Sequence, residues 1–128
     1  MKKSVLLFIF AFPLFLYESV AQTQDEKSAA FREAVVRGEQ IFGGIMLAQK
    51  CNIFEKKEYG DFEVKAKAII GAVKKGVGQE KVNVMVKQAQ LGMRIETYSN
   101  CGEKAKQFVK ASKQFVDKTY SILSVKEN

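Results

Sequence analysis

The sequence contains no histidine and no tryptophan, and it has one proline and two cysteines. Histidine is the commonest general base and a frequent metal ligand. Its absence excludes a Ser-His-Asp or Cys-His catalytic site, and two cysteines alone do not complete a zinc site. We therefore expect no catalytic residues, no metal site and no cofactor. Paired carboxylates could still perform acid–base chemistry. Glu39 and Glu96 are the candidates, because each lies beside apolar helical residues, but we interpret both as solvated or boundary carboxylates.

Long apolar stretches are also scarce, and the clearest one runs from Val5 to Tyr17. It is shorter than the roughly 20 residues that span a bilayer. Two lysines precede it, and small residues follow it up to Ala21, which is the three-part plan of a secretory signal peptide. We expect residues 1–21 to be a signal peptide cut after Ala21. Residues 22–128 would then form one periplasmic or secreted domain.

Acidic residues are fewer than basic ones, which gives a net charge of +7, or +6 once Lys2, Lys3 and Glu18 are removed with the signal. Most of the basic residues are lysines, which attract anionic surfaces without the bidentate geometry of arginine. An anionic envelope surface or an acidic protein is therefore a candidate partner. We expect no nucleic-acid partner, because export separates the chain from it and the phenylalanines lie on the predicted buried faces.

The two cysteines, Cys51 and Cys101, predict a single disulfide, because an even cysteine count in an exported chain is typical of bridged domains. The bridge would close a loop of about 50 residues and stabilise the fold by roughly 4 kcal/mol.

Hydrophobic periodicity predicts four helices in residues 22–128, where proline is absent and alanine, lysine, glutamate and glutamine are common. The predicted helices run from Thr23 to about Cys51, from Asp61 to about Gly76, from Gln79 to Tyr98, and from an Asn100 cap onward. The alternation in Val82–Val86 is also typical of a strand. We assign this segment to the third helix, because a lone short strand would have no partner.

The predicted buried faces follow helical spacing. In the first helix the face is Phe31, Val35, Gly38, Phe42 and Ile45, widened by Ala34, Ile41 and Ala48. In the second it is Phe62, Ala66, Ile69 and Val73. In the fourth it is Ala105, Phe108, Ser112, Phe115, Thr119 and Ile122, widened by Val109, Val116 and Leu123. Gly43 and Gly44 weaken the first helix, so we interpret them as a kink or a close contact with another helix.

These segments predict an all-α fold: a small four-helix up-down bundle with a single disulfide, preceded by a signal peptide. In that topology the first helix ends where the fourth begins, so Cys51 and Cys101 meet at one end of the bundle.

Two polar aromatic residues, Tyr59 and Tyr98, and one arginine, Arg94, lie near this cysteine end in the sequence. The predicted loop Asn52–Gly60 lies at the same end. Loops on a rigid scaffold often carry recognition. We therefore predict that partner-binding residues lie at this end, namely Phe54, Tyr59, Arg94 and Tyr98.

The chain has a predicted signal peptide, one helix that ends in a cysteine and a second cysteine at the start of the last helix. In this arrangement it resembles acid-stress periplasmic chaperones and small immunity proteins that block exported toxins. This resemblance in size and cysteine placement assigns no functional residues. Without catalytic groups, the chain is expected to be a non-catalytic binding protein of the cell envelope, of the inhibitor, immunity or secretion-accessory type. The partner would be another envelope or secreted protein, or an anionic envelope surface. The alternative is a periplasmic stress chaperone.

Overall fold

The computed structural model describes residues 24–124, and every regular element in that range is a helix. The helices are α1 (residues 24–36), α2 (Gly38–Lys50), α3 (Lys56–Val77), α4 (Gln79–Met93), α5 (Glu96–Ser99) and α6 (Glu103–Leu123). The predicted all-α class is confirmed. The predicted count of four is wrong, because the described residues form six helices. The predicted signal peptide and its cut after Ala21 lie outside the described residues.

The first predicted helix is interrupted at Arg37, which separates α1 from α2 with φ −101° and ψ 23°. The Arg37 carbonyl accepts the amides of both Gln40, at 3.0 Å, and Ile41, at 3.2 Å. Gly38 follows directly and packs so closely on Met85 of α4 that a Cβ atom there would overlap the methionine Sδ. Weak helix propensity at glycine and close packing on α4 account for a break that periodicity does not reveal.

The third predicted helix is also divided, because Ile95 is extended (φ −61°, ψ 136°) between α4 and α5. The fourth starts at Glu103, so the predicted cap at Asn100 is wrong. Cys101 has a positive φ of 58°, which turns the chain before the helix begins. Asn100 instead stabilises that turn, since its Oδ1 accepts the Gly102 amide at 2.9 Å.

The predicted loop Asn52–Gly60 is shorter than expected, because α3 already begins at Lys56. Glu55 is the extended residue before the helix, and Asp61 lies within it, where it pairs with Lys65 at 3.2 Å instead of capping. The assignment of Val82–Val86 to a helix is confirmed by α4.

The core lies among α1, α2, α3, α4 and α6. Its buried apolar residues include Ala34, Ile41, Leu47, Phe62, Ala66, Ile69, Val73, Val82, Met85, Ala105, Val109 and Val116. The predicted face of the second helix is confirmed in α3. In α1 and α2 the centre of the buried face is made by small and aliphatic residues, with Phe31 and Phe42 half-buried beside it.

Helix α2 approaches α6 closely at Gly44, where a Cβ atom would overlap the side chain of Ser112. The fully buried Ser112 hydroxyl donates to the Gln40 carbonyl at 3.0 Å. Gly43 lies close to two side chains, because a Cβ atom there would be 3.1 Å from Met93 and 3.2 Å from Phe108, a tight contact without the overlap found at Gly44. The predicted close helix contact at the two glycines is therefore present in the structure.

Cys51 and Cys101 form the predicted disulfide, with their Cα atoms 5.4 Å apart. The bond joins the end of α2 to the turn before α6, as the topology argument required. At the other end of α3, the single residue Gly78 connects this helix to α4. Within the described range, no helix combines the length and apolar character needed to cross a membrane.

Candidate functional site

The four residues predicted to bind a partner lie in segments near the disulfide. Phe54 is in the connection from α2 to α3, Tyr59 is in the first turn of α3, Arg94 directly follows α4, and Tyr98 is in α5. The structure thus brings their segments to the bridged end of the fold. Their role in partner binding stays a prediction.

Three of these residues, Phe54, Tyr59 and Tyr98, are half-buried and pack against the core. The ring of Phe54 meets Phe62 edge-on, with ring centres 5.6 Å apart. The ring of Tyr98 is tilted against Phe108, with centres 5.2 Å apart. Aromatic pairs at such distances contribute to packing. Phe54 and Tyr98 therefore support the scaffold and present little free surface.

The third residue, Tyr59, is held by a neighbour on its own helix. Its hydroxyl donates to Oε2 of Glu63 at 2.8 Å. Burial and this hydrogen bond, together with the negative charge of Glu63, raise the pKa of Tyr59 to about 12. The phenol is therefore neutral at physiological pH and already has a partner within the chain.

Arg94 is the exception among the four predicted residues, because it is exposed and forms no ion pair with any residue from 24 to 124. It directly follows α4, a helix with exposed apolar side chains.

Three large apolar side chains project from α4 and its end into solvent. Val84 is 52% exposed, Leu91 64% and Ile95 56%. Single exposed apolar residues are ordinary on a protein surface. Here, however, Val84, Gln88 and Leu91 share one helical face by their spacing, and Ile95 follows it beyond the helix end. We call Val84, Gln88, Leu91 and Ile95 the α4 surface.

Charge on this part of the chain has one sign. From Lys81 to Ile95 the sequence contains no carboxylate and three cations, the third being Arg94. At about 100° per residue, Lys87 and Arg94 lie together on one flank of Leu91. Neither Lys81 nor Lys87 forms an ion pair with a carboxylate among the described residues. The α4 surface is thus an apolar strip with unpaired positive charge beside it.

A hollow of about 360 Å³ adjoins the other flank of the α4 surface. Gln88, Ala89 and Gly92 of α4 form one wall. The opposite wall includes Val36, which is 78% exposed. Glu39 contributes a carboxylate to the lining and Arg37 a guanidinium. The hollow extends the apolar area across to α1 and α2.

Other depressions in the described structure are less informative. An open groove of about 720 Å³ between α1 and α6 has an apolar floor that includes Phe115, but Glu26, Glu33, Arg37 and Lys118 place both signs of charge around it. A shallow hollow of about 740 Å³ at the start of α3 is similarly mixed. Neither arrangement selects a ligand class.

The strongest polar cluster joins α3 to α6. Lys65 lies 3.5 Å from Asp117, whose other oxygen is 2.8 Å from Lys113. The Lys65 ammonium also sits 5.8 Å from the centre of the Tyr120 ring. Since these groups satisfy one another, the cluster is best explained as a link between the two helices.

The described residues contain no group of three or more cysteine, aspartate or glutamate side chains placed to hold a metal ion. Glu39 and Glu96, the two carboxylates considered for acid–base chemistry, are both exposed. They therefore lack the apolar enclosure that tunes catalytic carboxylates.

Val84, Gln88, Leu91 and Ile95 were not among the residues predicted from the sequence to bind a partner. Their signal was present as apolar residues at helical spacing in a segment without acids, but Val82–Val86 also alternates like a strand. Comparisons with protein-family models, curated proteins and solved structures gave no match for this chain.

Proposed function

We propose that this chain is a non-catalytic binding protein that acts after export to the periplasm or the extracellular space. The observation that carries the proposal is the α4 surface, where apolar side chains stay more than half exposed on a helix whose opposite face is buried. Several exposed apolar side chains on one helical face are a feature of interaction sites. A disulfide within the domain suits an oxidising compartment.

The inhibitor, immunity and secretion-accessory types all fit such a protein, since each works by occupying a partner. A binding role also explains how the domain can function without histidine. What remains for recognition is surface shape, apolar area and positive charge.

The direct test is an affinity capture with purified mature protein, Gln22–Asn128, from the envelope extract of its own source. A binding protein should retain a specific protein at a fixed stoichiometry, and the pair should re-form from purified components. Absence of any saturable protein partner, in extract and in the secreted fraction, would contradict the proposal.

A periplasmic stress chaperone is the second candidate, because exposed Val36, Leu91 and Ile95 could also contact unfolded chains. A chaperone should suppress the aggregation of several unrelated unfolded proteins at substoichiometric or equimolar amounts, as followed by light scattering. A protein with one dedicated partner should leave such aggregation unchanged.

A further inference from the structure

We propose that the α4 surface recognises an acidic protein whose contact area has an apolar centre. This inference rests on the proposed binding function and names the surface and the chemistry of its partner. The observation behind it is that α4 and its end combine exposed apolar side chains with unpaired positive charge.

Five of the described cations outside α4 pair with carboxylates close to them in sequence. Lys65 and Lys67 pair with carboxylates of α3, Lys106 and Lys113 do so within α6, and Arg37 pairs with Glu33. Lys87 and Arg94 have no carboxylate partner among the described residues, which is also true of lysines on other helices such as Lys74 and Lys110. Lys87 and Arg94 differ from those lysines in their position, because they flank Leu91, which is 64% exposed.

Carboxylates lie at the edges of the α4 surface and not within it. Glu80 precedes the acid-free segment, Glu96 follows it, and Glu39 lines the far wall of the adjoining hollow. The strip through Leu91 therefore combines apolar contact area with positive charge on one flank. A complementary partner would present apolar side chains toward Val84, Leu91 and Ile95, with carboxylates toward Lys87 and Arg94.

This composition matches the organisation of protein interfaces, in which charged residues are depleted at the centre and a polar rim surrounds it. Complementary rim charges chiefly accelerate association and discriminate against wrong partners. A second copy of the chain is disfavoured as the occupant, because its own surface carries the same positive charge.

Site-specific photo-crosslinking tests the location of the contact. The full chain would be produced in its own host with p-benzoylphenylalanine in place of Gln88, and in a control in place of Ala68, which is exposed on α3. We expect an adduct from position 88 with a protein of net negative charge, and none from position 68. Both variants must first be shown to capture the same partner as the unmodified chain.

Charge reversal tests the chemistry of the partner identified in this way. Arg94→Glu and Lys87→Glu should each weaken its binding on the order of tenfold, mainly through slower association, and added salt should reduce the difference. Lys74→Glu, which changes the net charge equally at an exposed site on α3, should leave the affinity within about twofold.

Each contrary result identifies a different failure. If the captured partner crosslinks to position 68 and not to position 88, the assignment of the contact to the α4 surface is wrong, but the binding function still stands. Equal effects of the three charge reversals would overturn recognition by Lys87 and Arg94. Binding to vesicles that contain phosphatidylglycerol is measured separately. If the unmodified chain binds them, Leu91→Asp abolishes that binding and no protein adduct forms, then the α4 surface contacts a membrane and not a protein. A chain that captures no protein at all would contradict the proposed function itself.

Discussion

At the scale of single residues, glycines determine how closely the helices of this fold can approach. The Gly44 position lies so near Ser112 that α2 and α6 have no room there for a methyl group. Gly71 is different, because a Cβ atom at that position would meet nothing within 4 Å. Substitution by alanine should therefore have opposite effects on stability at these two glycines.

Gly44→Ala should lower the free energy of unfolding by about 1–3 kcal/mol, because overpacking would displace Ser112 or separate the helices. Gly71→Ala should raise it by about 0.5–1 kcal/mol through better helix propensity alone. Urea titration followed by circular dichroism measures both. Equal stabilisation by the two substitutions would show that α2 and α6 are not in close contact at Gly44.

Tyr59 gives a second prediction at this scale. Its pKa of about 12 lies above the ordinary tyrosine value of about 10. The folded state therefore holds the phenol proton more tightly than the unfolded state does. The resulting stabilisation is fully present below about pH 10 and is lost as the pH rises toward 12.

Removal of the charge of Glu63 should lower the Tyr59 pKa, while burial should keep it above the ordinary value. Ultraviolet difference titration of Glu63→Gln beside the unmodified protein measures this, with Tyr59→Phe identifying the transition that belongs to Tyr59. An unchanged titration in Glu63→Gln would contradict the hydrogen-bonded contact.

At the scale of elements, the disulfide ties α2 to the turn that precedes α6. Because it closes a long loop, reduction should lower the free energy of unfolding by roughly 2–5 kcal/mol. Cys51→Ala, Cys101→Ala and the double substitution should cost similar amounts, since the same bond is lost in each case. Denaturant titrations and thiol counts check this. Two titratable thiols in freshly isolated oxidised protein would contradict the bridge.

Sequence pattern was sufficient for the helical class, for the buried face of α3 and for the meeting of Cys51 with Cys101. It failed where tertiary contacts override local preference. The break at Arg37 depends on how Gly38 packs against Met85, and the late start of α6 depends on the positive φ of Cys101. Hydrophobic periodicity does not reveal which distant segments will be in contact, and it does not reveal the backbone torsion of a single residue.

The candidate site shows the same limit. Arg94 could be selected because it lies near the cysteine end in the sequence, and the structure shows it to be exposed. Phe54 and Tyr98 were selected for their aromatic character, but the structure packs their rings against Phe62 and Phe108. Whether an aromatic side chain serves a core or a surface depends on packing that the sequence does not specify.

At the scale of the whole molecule, export and oxidation should be linked. We expect the protein isolated from its own source to begin at Gln22, with loss of residues 1–21 visible by intact-mass spectrometry, and to carry the disulfide. A pyroglutamate form of Gln22 would fit the same cut. Mature protein that retains Met1 or Lys2 would contradict the export assignment.

If this domain acts by binding through the α4 surface, its captured partner should distinguish between two matched variants of the domain. Leu91→Asp and Val64→Asp each place a carboxylate at a helix position that is more than 60% exposed, so both should change stability by no more than about 0.5 kcal/mol. Titration calorimetry should show binding weakened at least about 30-fold by Leu91→Asp, and unchanged by Val64→Asp. Equal affinity of Leu91→Asp and the unmodified protein would contradict the claim.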